Sequence, residues 1–414
     1  MRPELSDNFP RYTEYDPDVP VWCITPSIEG CFHRFFDTSP ISPSGRYMAV
    51  TRMLDESHPP EPGEPAEVVV INLQTGDVEL AFETFGWDTQ MGAHAQWGAS
   101  DEQLFFNDMD TATWQPFAMK VDVTTGEAVP LDGTVYMASP DGKYLASSCL
   151  LRTGATQAGY GVVAPEEYVP QNHGAADDDG IYVTDTETGE AHLAVSHRQI
   201  ADALEDHIEP EMAETGNFYG FHVKWSPDGE RIQFVWRWLP HDEDGAMGRA
   251  VVTCRPDGSE IYMAIPFEKW RVRGHHPNWC PDSQRVMMNL TVDEVMRMIQ
   301  VRYDGSNWGL LSEELEGSGH PAMHPDMRHI VTDVYEKGRL GWGDGTVPIR
   351  LLDLQEETSQ NVVRANVAPE HNVENNQLRV DPHPAWDYSH TLVTFNVFVE
   401  KSRRVFVADL SELL

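Results

Sequence analysis

One kind of turn recurs along the chain and limits the folds open to it. It reads SPSG at Ser42, GASD at Gly98, SPDG at Ser139 and Ser226, CPDS at Cys280, HPDM at His324 and DYSH at Asp387. A second signal, an apolar β-run ending in a polar turn, alternates with it. Its copies are VVVINLQTG from Val68, AMKVDVTTG from Ala118, IYVTDTETG from Ile181, AVVTCRPDG from Ala250, MIQVRYDG from Met298, IRLLDLQ from Ile349 and VFVADLS from Val405. Each signal has seven copies, and the two alternate strictly. After each copy of the first turn the residues alternate or run apolar (RYMAVTRM, KYLASS, RIQFVW, RVMMNL), the pattern of strands bounded by the residues turns require.

Seven such units of four strands read as an all-β, seven-bladed β-propeller, a fold that protects its strand edges by radial repetition. Length alone, 414 residues, would suggest two or three domains. The repeat instead makes residues 1–414 one domain, with blades beginning near residues 38, 94, 135, 222, 276, 320 and 383. The last unit stops after its third strand, so the ring is expected to close with an N-terminal strand, Val19 to Thr25. Two spacers, Arg152 to Asp179 and Ile200 to Gly220, are expected to form loops or short helices over one face.

Composition removes several function classes. Lys and Arg number 29 against 67 Asp and Glu, a net charge of −38, and no basic stripe exists for nucleic acid. An anionic substrate would require the pocket to reverse the sign of the surface locally, with Arg, His or a metal. No apolar run approaches the roughly 18 residues of a membrane span, and the first residues lack the apolar core of a secretory signal, so a cytoplasmic protein is expected. The five scattered cysteines contain no CxxC pair, which argues against a disulfide framework or a thiolate zinc site. No G-x-S-x-G, P-loop or dinucleotide fingerprint is present.

Histidine recurs at one phase of the repeat. Four residues before the turn stand His94, His222, His276, His320 and His383, five of seven blades; blades 1 and 3 have Thr38 beside Asp37 and Val135 beside Tyr136. That position begins the innermost strand, so imidazoles from different blades converge at one mouth of the central channel. Converging imidazoles suit a divalent metal, and three or four leave a position open for substrate. His276, His320 and His383 are the candidate ligands; a blade-bracing role, as for the structural histidine of WD repeats, is the alternative.

Around this mouth the candidates for chemistry are His222, His94, Arg237, Arg152 and Tyr160. The arginines would neutralise an anionic substrate, and Tyr160, between Gly159 and Gly161, is a candidate proton donor. His275, Gln377 and Trp236 are the candidate substrate contacts, with Asn376 and Asp381 close enough in sequence to reach the same mouth. His324 and His329 fall in or after a turn and are expected at the surface, and the run Asp177-Asp178-Asp179 reads as a solvated loop.

The segments NFYGFHVKWSPDGERIQFVWRW, GSGHPAMHPDMRHIVTDVY and RVDPHPAWDYSHTLVTFN resemble the propeller polysaccharide lyases, which comprise oligogalacturonate lyase and the related ulvan and rhamnosyl-glucuronate lyases. The likeness runs from about Gly133 to the end of the chain. The resemblance implies β-elimination on a uronic-acid glycan, with manganese or another cation, calcium or zinc among them, held by histidines at the propeller mouth. It implies His320 and His383 as metal ligands, His222 as base or ligand, and Arg237 as the residue that neutralises the carboxylate. The Gln and paired-His cluster of that family is not reproduced around His383, and Gln377 lies further upstream.

The chemistry is coherent. The C5 proton of a uronate is too weak an acid while the adjacent carboxylate keeps its charge, so a metal or arginine must stabilise the enediolate while one group takes the proton and another gives one to the leaving oxygen. The expected partner is an anionic oligosaccharide, with no nucleic acid and no membrane, for a monomer or small homo-oligomer. Two other classes remain open: a non-catalytic propeller of the TolB type that binds a protein through an apolar face, and a metal-dependent hydrolase or isomerase on the same ring.

Overall fold

A computed structural model describes residues 5–242, 244–367 and 376–414. Its strands form seven separate four-stranded antiparallel sheets, the blades of a propeller. Blade 4 shows the plan at full length: Gly216–Trp225 is innermost, followed outward by Ile232–Pro240, Gly248–Cys254 and Tyr262–Ile265. The ring closes as the repeat requires, because Val21–Cys23 pairs with Ser402–Asp409 in the register Val21↔Ala408, Trp22↔Val407 and Cys23↔Phe406.

The recurring turn is held by its own side chains. In blade 4, Ser226 Oγ donates to Asp228 Oδ1 at 2.6 Å and accepts from the Arg231 N–H at 3.0 Å; Ser139 repeats the arrangement with Asp141 and Tyr144. Such local bonds compete with continued strand and fix the reversal. Adjacent blades are tied by the tryptophan just before the turn. The indole N–H groups of Trp97, Trp225, Trp279 and Trp386 donate to the carbonyls of Pro40, Met137, Lys224 and Ala322, each in the preceding blade. A buried indole thus packs its ring and still satisfies its one donor.

The two spacers are short helices and turns: Leu150–Thr156 and Glu166–Tyr168 in the first, His197–Ala203 and Met212–Thr215 at the second. The acidic run beside them differs from the solvated loop expected. Asp177 and Asp178 are exposed, but Asp179 is buried, within 3.2 Å of Arg152 and 3.3 Å of His197, and accepts from Asn172. A carboxylate survives burial only with such partners. Among the described residues no helix is long and apolar enough to cross a membrane.

Candidate active site

The repeat-phased histidines are held in a shared, unusual backbone conformation. His94, His222, His276 and His383 have φ of 56°, 51°, 59° and 50°, a left-handed region that disfavours side chains. In blades 4 and 5 the inner strand breaks register between Phe221 and Lys224 and between His275 and Asn278, so each histidine sits on a bulge that turns its ring out of the sheet. In blade 6 the strained position shifts to Gly319 (φ 58°), where an added Cβ would lie 2.0 Å from Asp333 Oδ1. Backbone strain repeated around one axis is the kind that surrounding packing holds at functional sites.

The rings meet. His276 and His320 are 3.9 Å apart between centroids, His320 and His383 4.3 Å, and His222 and His276 6.4 Å. Beneath them lies Phe35, whose ring is 4.7 to 5.8 Å from those of His222, His276, His320 and His383. Phe35 belongs to a segment of blade 1, His33 to Asp37, that leaves the strand Cys31–Phe32 and plugs the channel. Asp37 anchors the plug through Arg34 (2.5 Å) and Lys224 (2.8 Å), all three side chains being buried.

Burial, then neighbouring cations and imidazoles, holds His222, His276 and His383 well below the usual histidine range. The rings are therefore neutral, with lone pairs free for a proton or a cation. His320 is oriented by Asp333, which accepts from its Nδ1 at 2.9 Å and from the backbone N–H groups of His320 and His383. Among the described residues that leaves His320 Nε2 buried without a hydrogen bond, as are both ring nitrogens of His383 and Nε2 of His222.

Orphaned buried nitrogens are costly, and a cation would satisfy them. His320, Asp381 and His383 offer ligand atoms that all lie within 4.8 Å of one another, so this donor set fits a divalent metal. Asp333 supplies the outer carboxylate that metal-bound imidazoles commonly have. His276, expected as the third ligand, is outside that group; its Nδ1 donates to the Gly319 carbonyl at 2.7 Å, and Asp381 takes the third place.

Beside the ring opens a cavity of about 390 Å³ lined by His222, His275, His276, Tyr160, Tyr335 and the arginines Arg237, Arg249, Arg273 and Arg379. Among the described residues no Asp or Glu lines it, which reverses locally the sign of a chain of net charge −38. Arg237 and Arg249 sit opposite each other on neighbouring strands, and neither has an ion-pair partner among the described residues. Burial, and then Arg249, pushes Arg237 down to about 9. Like charges directly opposed on a sheet repel, and a bound anion removes the repulsion.

Arg237 lies with its guanidinium 3.7 Å over the Phe221 ring and donates to Thr156 and Gln157, which keeps it extended. Tyr160 caps the same space at 6.0 Å from the His222 ring. Burial raises its phenol to about 12, and Arg379 donates to its oxygen at 3.1 Å. Its turn needs Gly161, whose φ of 85° would put a Cβ 2.4 Å from the Leu150 carbonyl oxygen.

Four sequence candidates fall elsewhere. Trp236, expected to touch substrate, points to the opposite side of its strand from Arg237; it is fully buried, stacks on Phe218 and donates to His197. Arg152 is spent on Asp179, away from the cavity. His94 has a hydrogen-bond partner at each ring nitrogen, the Val135 carbonyl and Asp88, and so braces the neighbouring blade. Gln377 offers its backbone carbonyl to Thr89 and Gln90 and does not line the cavity.

Sequence reasoning missed Arg249, Arg273, Arg379, Tyr335 and Asp333. Arg249 was accessible from pairing, since the hairpin from blade 4 puts it opposite Arg237. The others stand outside the repeat phase and carry no local signal.

No family profile matches the chain, and no curated protein matches it by sequence. Solved structures do match in three dimensions. An oligogalacturonate lyase in complex with manganese aligns at TM-score 0.65 with 17% identity, over 97% of this chain and 96% of that one. The fold is that of oligogalacturonate lyase. A second such lyase, from Vibrio parahaemolyticus, aligns at TM-score 0.64 with 14% identity over 97% and 96% of the two chains. The β-propeller domain of the Trilobed protease from Pyrococcus furiosus aligns at 0.50 with 10% identity, over 92% and 96%. Identities this low carry the architecture alone.

Proposed function

We propose that this chain is a lyase that cleaves a uronic-acid oligosaccharide or glycoside by β-elimination. The observation that carries the reading is the pair of opposed arginines, Arg237 and Arg249, which have no ion-pair partner among the described residues, beside the neutral His222 with its unbonded Nε2. The two arginines take the uronate carboxylate, in the bidentate manner guanidinium favours, and stabilise the charge that develops on it. His222 removes the C5 proton through Nε2. Binding an anion beside it raises its proton affinity, opposing the effect of Lys224 and Arg237 in the free protein.

The electron pair from C5–H forms the C4=C5 double bond as the C4–O bond breaks. Tyr160, neutral at physiological pH, gives the departing oxygen its proton, with Arg379 stabilising the phenolate left behind. His320, His383 and Asp381 would hold a divalent cation of the manganese or zinc kind. With one oxygen donor against two nitrogens, the set is a poor match for calcium. Such a cation would add Lewis-acid polarisation of a substrate oxygen.

The polar, cationic lining favours this reading over a protein-binding propeller with an apolar face. The test is incubation with a panel of uronate oligosaccharides and glycosides. Absorbance in the ultraviolet from a conjugated unsaturated uronate is expected, and its absence across the panel refutes the proposal.

A further inference from the structure

We infer a second metal site, built by blade 6 on the recurring turn itself, for a borderline divalent cation such as zinc, with His324, Asp326 and His329 as ligands. The ligand atoms of these three residues all lie within 4.8 Å of one another. They belong to HPDMRH, where the turn that elsewhere begins with serine, at Ser42, Ser139 and Ser226, begins with histidine. In those serine blades the Oγ accepts the backbone N–H five residues on, from Tyr47, Tyr144 and Arg231. Blade 6 gives that closing bond to Asp326 Oδ1, which accepts from the His329 N–H at 3.0 Å. The closing bond of the turn therefore needs no imidazole at either position.

The imidazoles are nevertheless oriented. His324 donates Nε2–H to the His390 carbonyl at 3.1 Å, and a carbonyl oxygen can only accept, so in the neutral ring the Nδ1 lone pair points inward. That lone pair accepts from the Asp326 backbone N–H at 3.2 Å and also lies 3.1 Å from Asp326 Oδ2, an acceptor beside an acceptor. His329 Nδ1 lies 2.6 Å from the same oxygen, and its Nε2 lies 3.8 Å from Asp353, which Arg328 holds by two bonds. One proton on His329 Nδ1 satisfies the shorter contact and leaves the approach of His324 Nδ1 to Asp326 Oδ2 offset only by that backbone N–H. A cation in place of that proton satisfies all three ligand atoms.

The surroundings are of the kind metal-bound histidines have, a carbonyl bonded to His324 and the Asp353 carboxylate 3.8 Å from His329 Nε2, beyond direct hydrogen-bond reach. The donor set, two nitrogens and one carboxylate oxygen, is that of zinc, nickel or copper, with water as a further ligand. The contact at 2.6 Å opens to about 3.3 Å for tetrahedral zinc, a small rotation of the partly exposed Asp326 side chain against the buried His329. His324 is in blade 6 and the carbonyl it holds is in blade 7, so the bound ion stiffens the junction between them.

The site is separate from the candidate ligands His320, Asp381 and His383, and its test does not depend on what the cavity does. Zinc alone is titrated into the purified protein by calorimetry, with bound metal counted after dialysis. His324→Ser restores the residue other blades use and His329→Gln keeps a hydrogen-bonding side chain, so both are expected to fold. Each is expected to bind one zinc fewer than the parent and to lose the zinc-dependent rise in melting temperature, while His320→Ala keeps both features of the turn site. Retention of the parent's stoichiometry in both turn variants overturns the inference, as does loss of the same ion in His320→Ala.

Discussion

Asp37 is the residue whose removal should disturb the molecule most for the least change in shape. Its carboxylate lies 2.5 Å from Arg34 and 2.8 Å from Lys224, and all three side chains are essentially inaccessible. At an effective dielectric of ~20 the attraction to Lys224 alone is about 6 kcal/mol before desolvation is counted. Both cations hold Asp37 below the usual carboxylate range despite burial. Asp37→Asn keeps the volume but leaves two buried cations without a counter-charge, a defect of roughly 3–5 kcal/mol. Lys224 also donates to the Pro277 carbonyl and lies 4.5 Å from the Phe36 ring, so the plug beneath the histidines loosens with it. The assay is chemical denaturation of Asp37→Asn, Lys224→Met and the double variant. The double variant should be more stable than Asp37→Asn alone, because it removes one of the stranded charges. A cost below about 1 kcal/mol for Asp37→Asn, or strict additivity, would refute the reasoning.

Arg249→Gln should lower kcat/KM by about 100-fold or more on an anionic substrate, read by steady-state kinetics, and should not destabilise the free protein, since it relieves repulsion from Arg237. Asp333→Asn should weaken metal binding about 10–100-fold without changing the ligands, measured by competition with a chelator. Phe35→Ala should cost about 3–5 kcal/mol in denaturation, because the ring fills the channel floor. Burial pushes His33 down to about 4, so the native state keeps the ring neutral where the unfolded chain, near ~6.5, would protonate it. The stability this gives is fully present above about 6.5 and is lost as pH falls toward 4, roughly 3 kcal/mol from this residue, and His33→Gln should make that limb shallower by that share while His222, His276 and His383 keep the rest.

The fold was legible because the turn and the outward run mark every blade independently, and the missing strand of the last blade had one available donor, Val21–Cys23. The histidine ring was legible for the same reason, since equivalent positions of a radial repeat share a radius. What the repeat could not convey is direction. Trp236 and Arg237 are neighbours in sequence, yet alternation sends one into the core and the other into the cavity. His94 and His222 share a phase, yet Asp88 occupies the first and leaves the second free. His329, expected at the surface, is buried because it closes on Asp326. Arg379, Tyr335 and Asp333 lie in segments between phased positions, where only the folded chain brings them to the site.

The mass balance of the reaction tests the central claim most directly. Elimination breaks the C–O bond without water, whereas hydrolysis adds one water across it. A uronate oligosaccharide that is turned over is therefore incubated in water enriched in oxygen-18, and the products are weighed by mass spectrometry. The account predicts two fragments whose masses, apart from solvent exchange of reducing-end oxygen, sum to that of the substrate, one of them unsaturated, with turnover lost in His222→Ala. Fragments whose masses sum to substrate plus one water would contradict it.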